Sequence, residues 1–179
     1  MKYVCFLRAV NVSGHNMIKM DALKKALESI GFTNVLTYVQ SGNVFIETEE
    51  INLSKVGFLM TQEIFKTFGH DVPVMVLSKE DLQACFDRNI FLKDKNVDSK
   101  KLYVSFLSAE MPDNKITQIN TNFIKPDEIH IDGKRIYIKY DVSPGKTRLD
   151  NRWIEKNMNV FSTIRNWNTV SKLLELFDQ

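Results

Sequence analysis

Apolar residues come in short runs along this chain, and between the runs they recur at helical spacing. Tyr3 to Ala9 reads as a strand. Met20, Leu23, Leu27 and Ile30 then give one apolar helix face, closed by Gly31 at the C-cap position with Phe32 able to pack back. Val35 to Val39 and Val44 to Thr48 read as strands joined by the turn Gln40-Ser41-Gly42-Asn43. Leu53, Val56, Met60 and Ile64 make a second helix face. Val72 to Leu77 is a fourth strand, with Pro73 suiting an edge. Ser78 and Asp81 have the spacing of a capping box that opens a short helix.

The order then starts again. Leu102 to Leu107 is a strand and Asp113 to Phe123 a helix. Glu128 to Ile131 and Arg135 to Lys139 flank Asp132-Gly133, a hairpin signal. Asn151 to Met158 is a helix and Val160 to Ile164 a strand. Trp167, Val170, Leu174 and Phe177 share the apolar face of a last helix, with Asn166 or Asn168 as its cap and Trp167 as a core anchor. Tyr3-Val4-Cys5-Phe6-Leu7-Arg8-Ala9 also resembles Tyr103-Val104-Ser105-Phe106-Leu107-Ser108-Ala109. Each half therefore reads β-α-β-β-α-β plus a trailing helix. The expected class is α+β: two tandem ferredoxin-like (α-β plait) subdomains, residues 1–95 and 96–179, joined through the polar stretch 93–100.

This topology brings distant segments together. If the first strand runs up, the loop after it and the turn between the second and third strands share one end of the sheet. Residues 8–19 then lie beside residues 40–43. The first loop is longer than the usual strand-to-helix connection, and such loops disproportionately carry function. Together the segments offer Arg8, Asn11, Asn16, Gln40, Ser41 and Asn43, with no carboxylate before Asp21. One cationic fork among amides and hydroxyls suits an anionic or polar small molecule. Asn and Gly in such places also make turns and Asx bonds, which is the competing explanation. In the second half, the loops carrying Lys146, Arg148 and Arg165 should share one end of their own sheet. Lys146 and Arg165 would join the first site if the halves fold toward each other.

Composition narrows the function. The chain has 179 residues, 44% hydrophobic and 26% charged, ordinary for a globular protein. No apolar run approaches the ~20 residues of a membrane span, and the N-terminal segment lacks a signal-peptide cleavage pattern, so a cytoplasmic location is expected. Two cysteines make neither a disulfide framework nor a metal quartet, and Cys5 reads as a core thiol. The net charge is +2, yet residues 134–172 hold nine basic and three acidic side chains. That surplus makes nucleic-acid binding through the second half an alternative. Gly145-Lys146-Thr147 lacks the upstream glycine and following helix of a phosphate-binding loop, and the strand Val44–Glu47 lacks the aromatic pattern of RNA-binding sheets. His15, His70 and His130 are isolated, and no nucleophile elbow or dinucleotide fingerprint is present, so no metal or cofactor is implied. An enzyme with His15 as base and Arg8 as anion clamp is a further alternative, and an interaction module using exposed sheet edges another.

The segment Leu7-Arg8-Ala9-Val10-Asn11-Val12-Ser13-Gly14-His15-Asn16, followed by Thr37-Tyr38-Val39-Gln40-Ser41-Gly42-Asn43-Val44, resembles a bacterial family of uncharacterised proteins known only as a domain of unknown function. Its first signatures read R-G-I-N-V-G-G-x-N and T-Y-x-Q-S-G-N, with Ala9 and Ser13 here in place of glycines. Thr163-Ile164-Arg165-Asn166-Trp167-Asn168-Thr169-Val170 is similar to a later signature. The resemblance spans essentially the whole chain. It implies two ferredoxin-like subdomains and no particular activity, cofactor or substrate.

Overall fold

The computed structural model describes all residues except Ser13, Ser41, Pro144 and Gly145, and all side chains of the rest except that of Lys115. Helices and strands combine in two compact units, Met1–Leu82 with Leu176–Gln179, and Gln83–Glu175. Each contains a four-stranded antiparallel sheet.

In the first unit the strands are β1 (Lys2–Leu7), β2 (Thr33–Tyr38), β3 (Asn43–Glu47) and β4 (Val74–Leu77), in the order β2-β3-β1-β4. Helices α1 (Met20–Ser29) and α2 (Leu53–Phe68) bury the predicted faces. Leu23 and Leu27 from α1 and Val56, Met60 and Ile64 from α2 meet Tyr3, Cys5, Leu7, Val44 and Ile46 from the sheet. Helix α1 ends as its sequence requires. Gly31 takes φ +96°, its N–H donates to Glu28 O at 3.1 Å, and Phe32 N donates to Leu27 O at 3.4 Å. The left-handed glycine turns the chain back and satisfies two of the helix's last carbonyls. Strand β1 is buried on both faces. On the other face, Phe177 meets the Phe45 ring edge-on at 5.1 Å and the Lys2 ammonium donates to Leu176 O at 2.8 Å. Ser78 and Asp81 exchange hydrogen bonds at 2.9 and 3.2 Å, the reciprocal cap at the head of α3 (Lys79–Asp87).

In the second unit β5 (Leu102–Leu107), β6 (Glu128–Asp132), β7 (Arg135–Lys139) and β8 (Ser162–Asn166) lie in the order β6-β7-β5-β8. Helix α5 (Asn151–Met158) is capped by the Asp150 carboxylate, which accepts from Trp153 N at 2.8 Å. Ile154 and Met158 join Ile136, Ile138, Leu107 and Leu149 in this core. Helix α6 (Trp167–Phe177) begins where Asn166 Oδ1 accepts from Asn168 N at 2.9 Å, and Trp167 is buried against Phe86 at 4.6 Å.

One expected helix is broken. Residues 113–123 form a four-residue helix, α4 (Asp113–Ile116), and then a separate 3-10 turn, Thr121–Ile124. Thr117 Oγ1 donates to Asn114 O, and Asn120 Oδ1 accepts from Asn122 N. These short polar side chains offer the backbone local partners that compete with helical ones. The strand expected at 160–164 lies two residues later, at Ser162–Asn166.

Candidate functional site

The loop after β1 and the β2–β3 turn meet at one end of the first sheet. Leu7 N donates to Gly42 O at 2.8 Å, and Asn11 Nδ2 donates to Gln40 O at 3.0 Å. The Asn11 amide does more than bridge. Its second Nδ2 proton goes to Ile18 O at 2.9 Å, and its Oδ1 accepts from Ile18 N at 2.8 Å. Both donors and the acceptor are thus engaged in closing the loop onto itself and onto the hairpin. Asn16 Nδ2 donates to Ala9 O at 3.2 Å, and Val12 pairs with His15 in an isolated bridge. Asn43 is fully buried and its Nδ2 donates to Tyr38 O at 3.1 Å. Asn11 and Asn43 therefore use their side chains to hold the loop and the turn, as the turn-forming explanation has it. Arg8 is half-buried at the end of β1, where its N–H donates to Pro73 O at 3.0 Å. His15 and Gln40 are exposed. Ser41 lies outside the described residues, as does Ser13.

The backbone here is held in unusual conformations. Of the eleven positive-φ residues among the described residues, six fall in these two segments: Ala9, Asn11, Gly14, Asn16, Val39 and Gly42. Val39, at φ +52°, is the least expected, since a β-branched side chain crowds its own backbone there. No sequence signal marks it, because Val39 continues the apolar run of β2 and reads as strand.

Lys146 and Arg165 belong to the second unit. Lys139 at the end of β7 pairs with Leu102, and Asn166 at the end of β8 pairs with Tyr103, so the following chain segments leave the same end of that sheet. Lys146 N donates to Ser143 O at 2.8 Å and its side chain is exposed. The Arg165 guanidinium donates through Nη1 to Thr163 Oγ1 at 2.8 Å and Ile164 O at 3.0 Å. Burial pushes it down to about 10, still fully protonated at neutral pH. Arg148 stands 5.1 Å from the centre of the Phe123 ring.

The loop after β7 has an anchor that the sequence reading missed. The buried Asp127 accepts from Asp141 N at 2.8 Å and Val142 N at 3.3 Å through Oδ1, and from the Thr147 hydroxyl through Oδ2. Thr147 Oγ1 in turn accepts from Leu149 N at 3.0 Å. An aspartate fourteen to twenty residues before its partners carries no periodic signal, so only the fold reveals it.

Cys5 and Cys85 are buried and free. Burial drives the Cys5 thiol far above its ordinary range and Cys85 to about 12, which keeps both protonated and unreactive. Among the described residues, no helix is long and apolar enough to cross a membrane.

No curated protein matches this chain. The structure is similar to that of conserved bacterial protein SP0830 from Streptococcus pneumoniae, with a TM-score of 0.67 over 97% of both chains at 20% identity, a likeness of fold alone. Residues 1–137 match the profile described as protein of unknown function (DUF1697), so the chain belongs to the DUF1697 family.

Proposed function

We propose that the first unit binds an anionic or polar small molecule where the loop Arg8–Asn16 meets the turn Gln40–Asn43. The concentration of strained backbone in these two segments carries this reading. Non-glycine residues at positive φ cost about 1–3 kcal/mol each and persist only where the surroundings over-determine them, which is characteristic of ligand clamps. Here Asn11 and the Leu7–Gly42 hydrogen bond impose the conformation. Asn11 and Asn43 act as positioning residues. Arg8 supplies the charge, and Asn16 and Gln40 complete the polar surface, with Ser41, outside the described residues, kept as a candidate from the sequence. Lys146 and Arg165 belong to the second unit and are not assigned to this site.

In the same reading each unit is a ferredoxin-like βαββαβ subdomain and the pair arose by internal duplication, with the joint proposed from the sequence near residues 95–96, past the Leu82/Gln83 division of the two units. Tyr3 pairs with Ile46 in one sheet and Tyr103 with Ile138 in the other, and the sheets share one strand order, which supports the repeat. A cytoplasmic location goes with two free buried thiols.

A thermal-shift panel of inorganic phosphate, nucleotides, sugar phosphates and dicarboxylates tests the site. A ligand at one hundred times its Kd adds about 2.7 kcal/mol, or roughly 5–10 °C in Tm at this size. Arg8→Ala should abolish that shift. No shift across the panel, or an equal shift in Arg8→Ala, overturns the assignment.

A further inference from the structure

Beyond the first unit's loop, the second unit contains a preformed pocket of about 190 Å³. The buried Tyr140 ring and the half-buried Tyr103 ring line it, edge to face with centres 4.8 Å apart. Exposed Lys100, Lys101, Asp141 and Ser143 surround them. Lys101 pairs with Asp141 at 3.6 Å, so the lining carries two ammonium groups against one carboxylate.

Two observations distinguish this pocket from an accidental dent. The first is its support. Tyr140 N donates to Lys101 O at 2.9 Å, which holds the main chain, and the Tyr140 hydroxyl donates to Leu149 O at 2.8 Å, which holds the far end of the ring. The Asp127 carboxylate holds the wall at Asp141 and Val142 through their main-chain N–H groups. A wall tied to a buried carboxylate needs little ordering when a ligand enters. The second is a contrast between the two sheets. Tyr3 occupies the same place on its central strand as Tyr103, yet Tyr3 is only 4% exposed and its hydroxyl donates to Met1 Sδ at 3.1 Å. Packing closes that position in the first unit. In the second, the equivalent tyrosine is half-buried beside two lysines.

We propose that this pocket binds a monocyclic aromatic or heterocyclic ring bearing an anionic substituent. The volume admits one ring. Tyr103 offers an aromatic surface for it to pack against, while Lys100 and Lys101 receive the charge. A phosphorylated phenol and a pyrimidine nucleotide share this chemistry.

Calorimetric titration with phenyl phosphate, uridine 5′-monophosphate, phenol and inorganic phosphate tests it. Phenyl phosphate should bind at least about tenfold tighter than phenol or inorganic phosphate, since ring stacking contributes on that order. Tyr103→Leu and Lys100→Glu should each weaken it by about tenfold. Asp141→Asn removes the lining's carboxylate, keeps the main-chain bond to Asp127, and should tighten binding several-fold. Asp127→Asn should weaken binding by loosening the wall. Arg8→Ala should leave it unchanged, which separates this site from that of the first unit. Equal binding of uridine 5′-monophosphate identifies a nucleotide site, and its exclusion identifies a small aromatic anion. The proposal is overturned if phenyl phosphate binds no tighter than inorganic phosphate. It is equally overturned if folded Tyr103→Leu and Lys100→Glu proteins bind as wild type does.

Discussion

Gly42 shows how one residue sets the turn between β2 and β3. Its φ is +75°, and a Cβ built there would lie 2.8 Å from Leu7 Cβ and 3.1 Å from Leu7 O. The position combines a left-handed backbone with a close approach to β1, and only glycine meets both demands. Gly42→Ala should cost at least about 2 kcal/mol in urea unfolding. An unchanged unfolding midpoint would show that the turn is freer than its geometry implies. The buried thiols make a second residue-scale prediction. Cys85 titrates near 9 when unfolded and at about 12 when folded, because burial disfavours the thiolate. The folded state therefore holds its proton more tightly. This contribution is fully present below pH 9 and is lost as pH rises from 9 toward 12, at about 1.4 kcal/mol per pH unit. Between pH 8 and 10.5 it amounts to about 2 kcal/mol. Cys85→Ala should flatten the alkaline loss of stability by that amount, and parallel pH profiles for the two proteins would refute it.

Among the elements, most were legible along the chain. Helices α1 and α5 and strands β1, β5 and β7 lie within a residue or two of their predicted spans, and α2 starts where predicted but runs four residues further, to Phe68, since buried faces write their period into the sequence. The caps were equally readable at Gly31 and at Ser78 with Asp81, because capping is local chemistry. The expected helix at 113–123 failed where local hydrogen bonding at Asn114, Thr117 and Asn120 outweighed a weak apolar period. The loop between β1 and α1 was recognisable as unusual by its length, but not the task of Asn11. Asn11→Ala removes three hydrogen bonds that tie the loop to Ile18 and Gln40. It should cost about 1–3 kcal/mol and speed amide exchange in residues 9–18, with the sheet's protection unchanged. Unaltered exchange in that loop would remove Asn11 from its role as clamp.

At the scale of the whole molecule, the charge pattern divides the chain more sharply than its total of +2 implies. The basic stretch 134–172 lies within the second unit, where Lys139, Arg135 and Lys172 each meet a carboxylate: Glu128 at 2.7 Å, Asp132 at 3.2 Å and Glu175 at 2.8 Å. Part of the apparent surplus is thus answered by acids that lie just outside the stretch and near it in the fold. The chain by itself determined its alternation of strands and helices, its local caps and its membership of the DUF1697 family, because these depend on residues close in sequence and on motif identity. Tertiary structure alone decided that Asn11 and Asn43 hold the β1–α1 loop and the β2–β3 turn and that Asp127 pins a loop fourteen to twenty residues away. It also left Tyr103 half-buried where Tyr3 is sealed. Those roles are set by which polar atoms the folded backbone leaves within hydrogen-bonding reach, a property of spatial neighbours rather than of spacing along the chain.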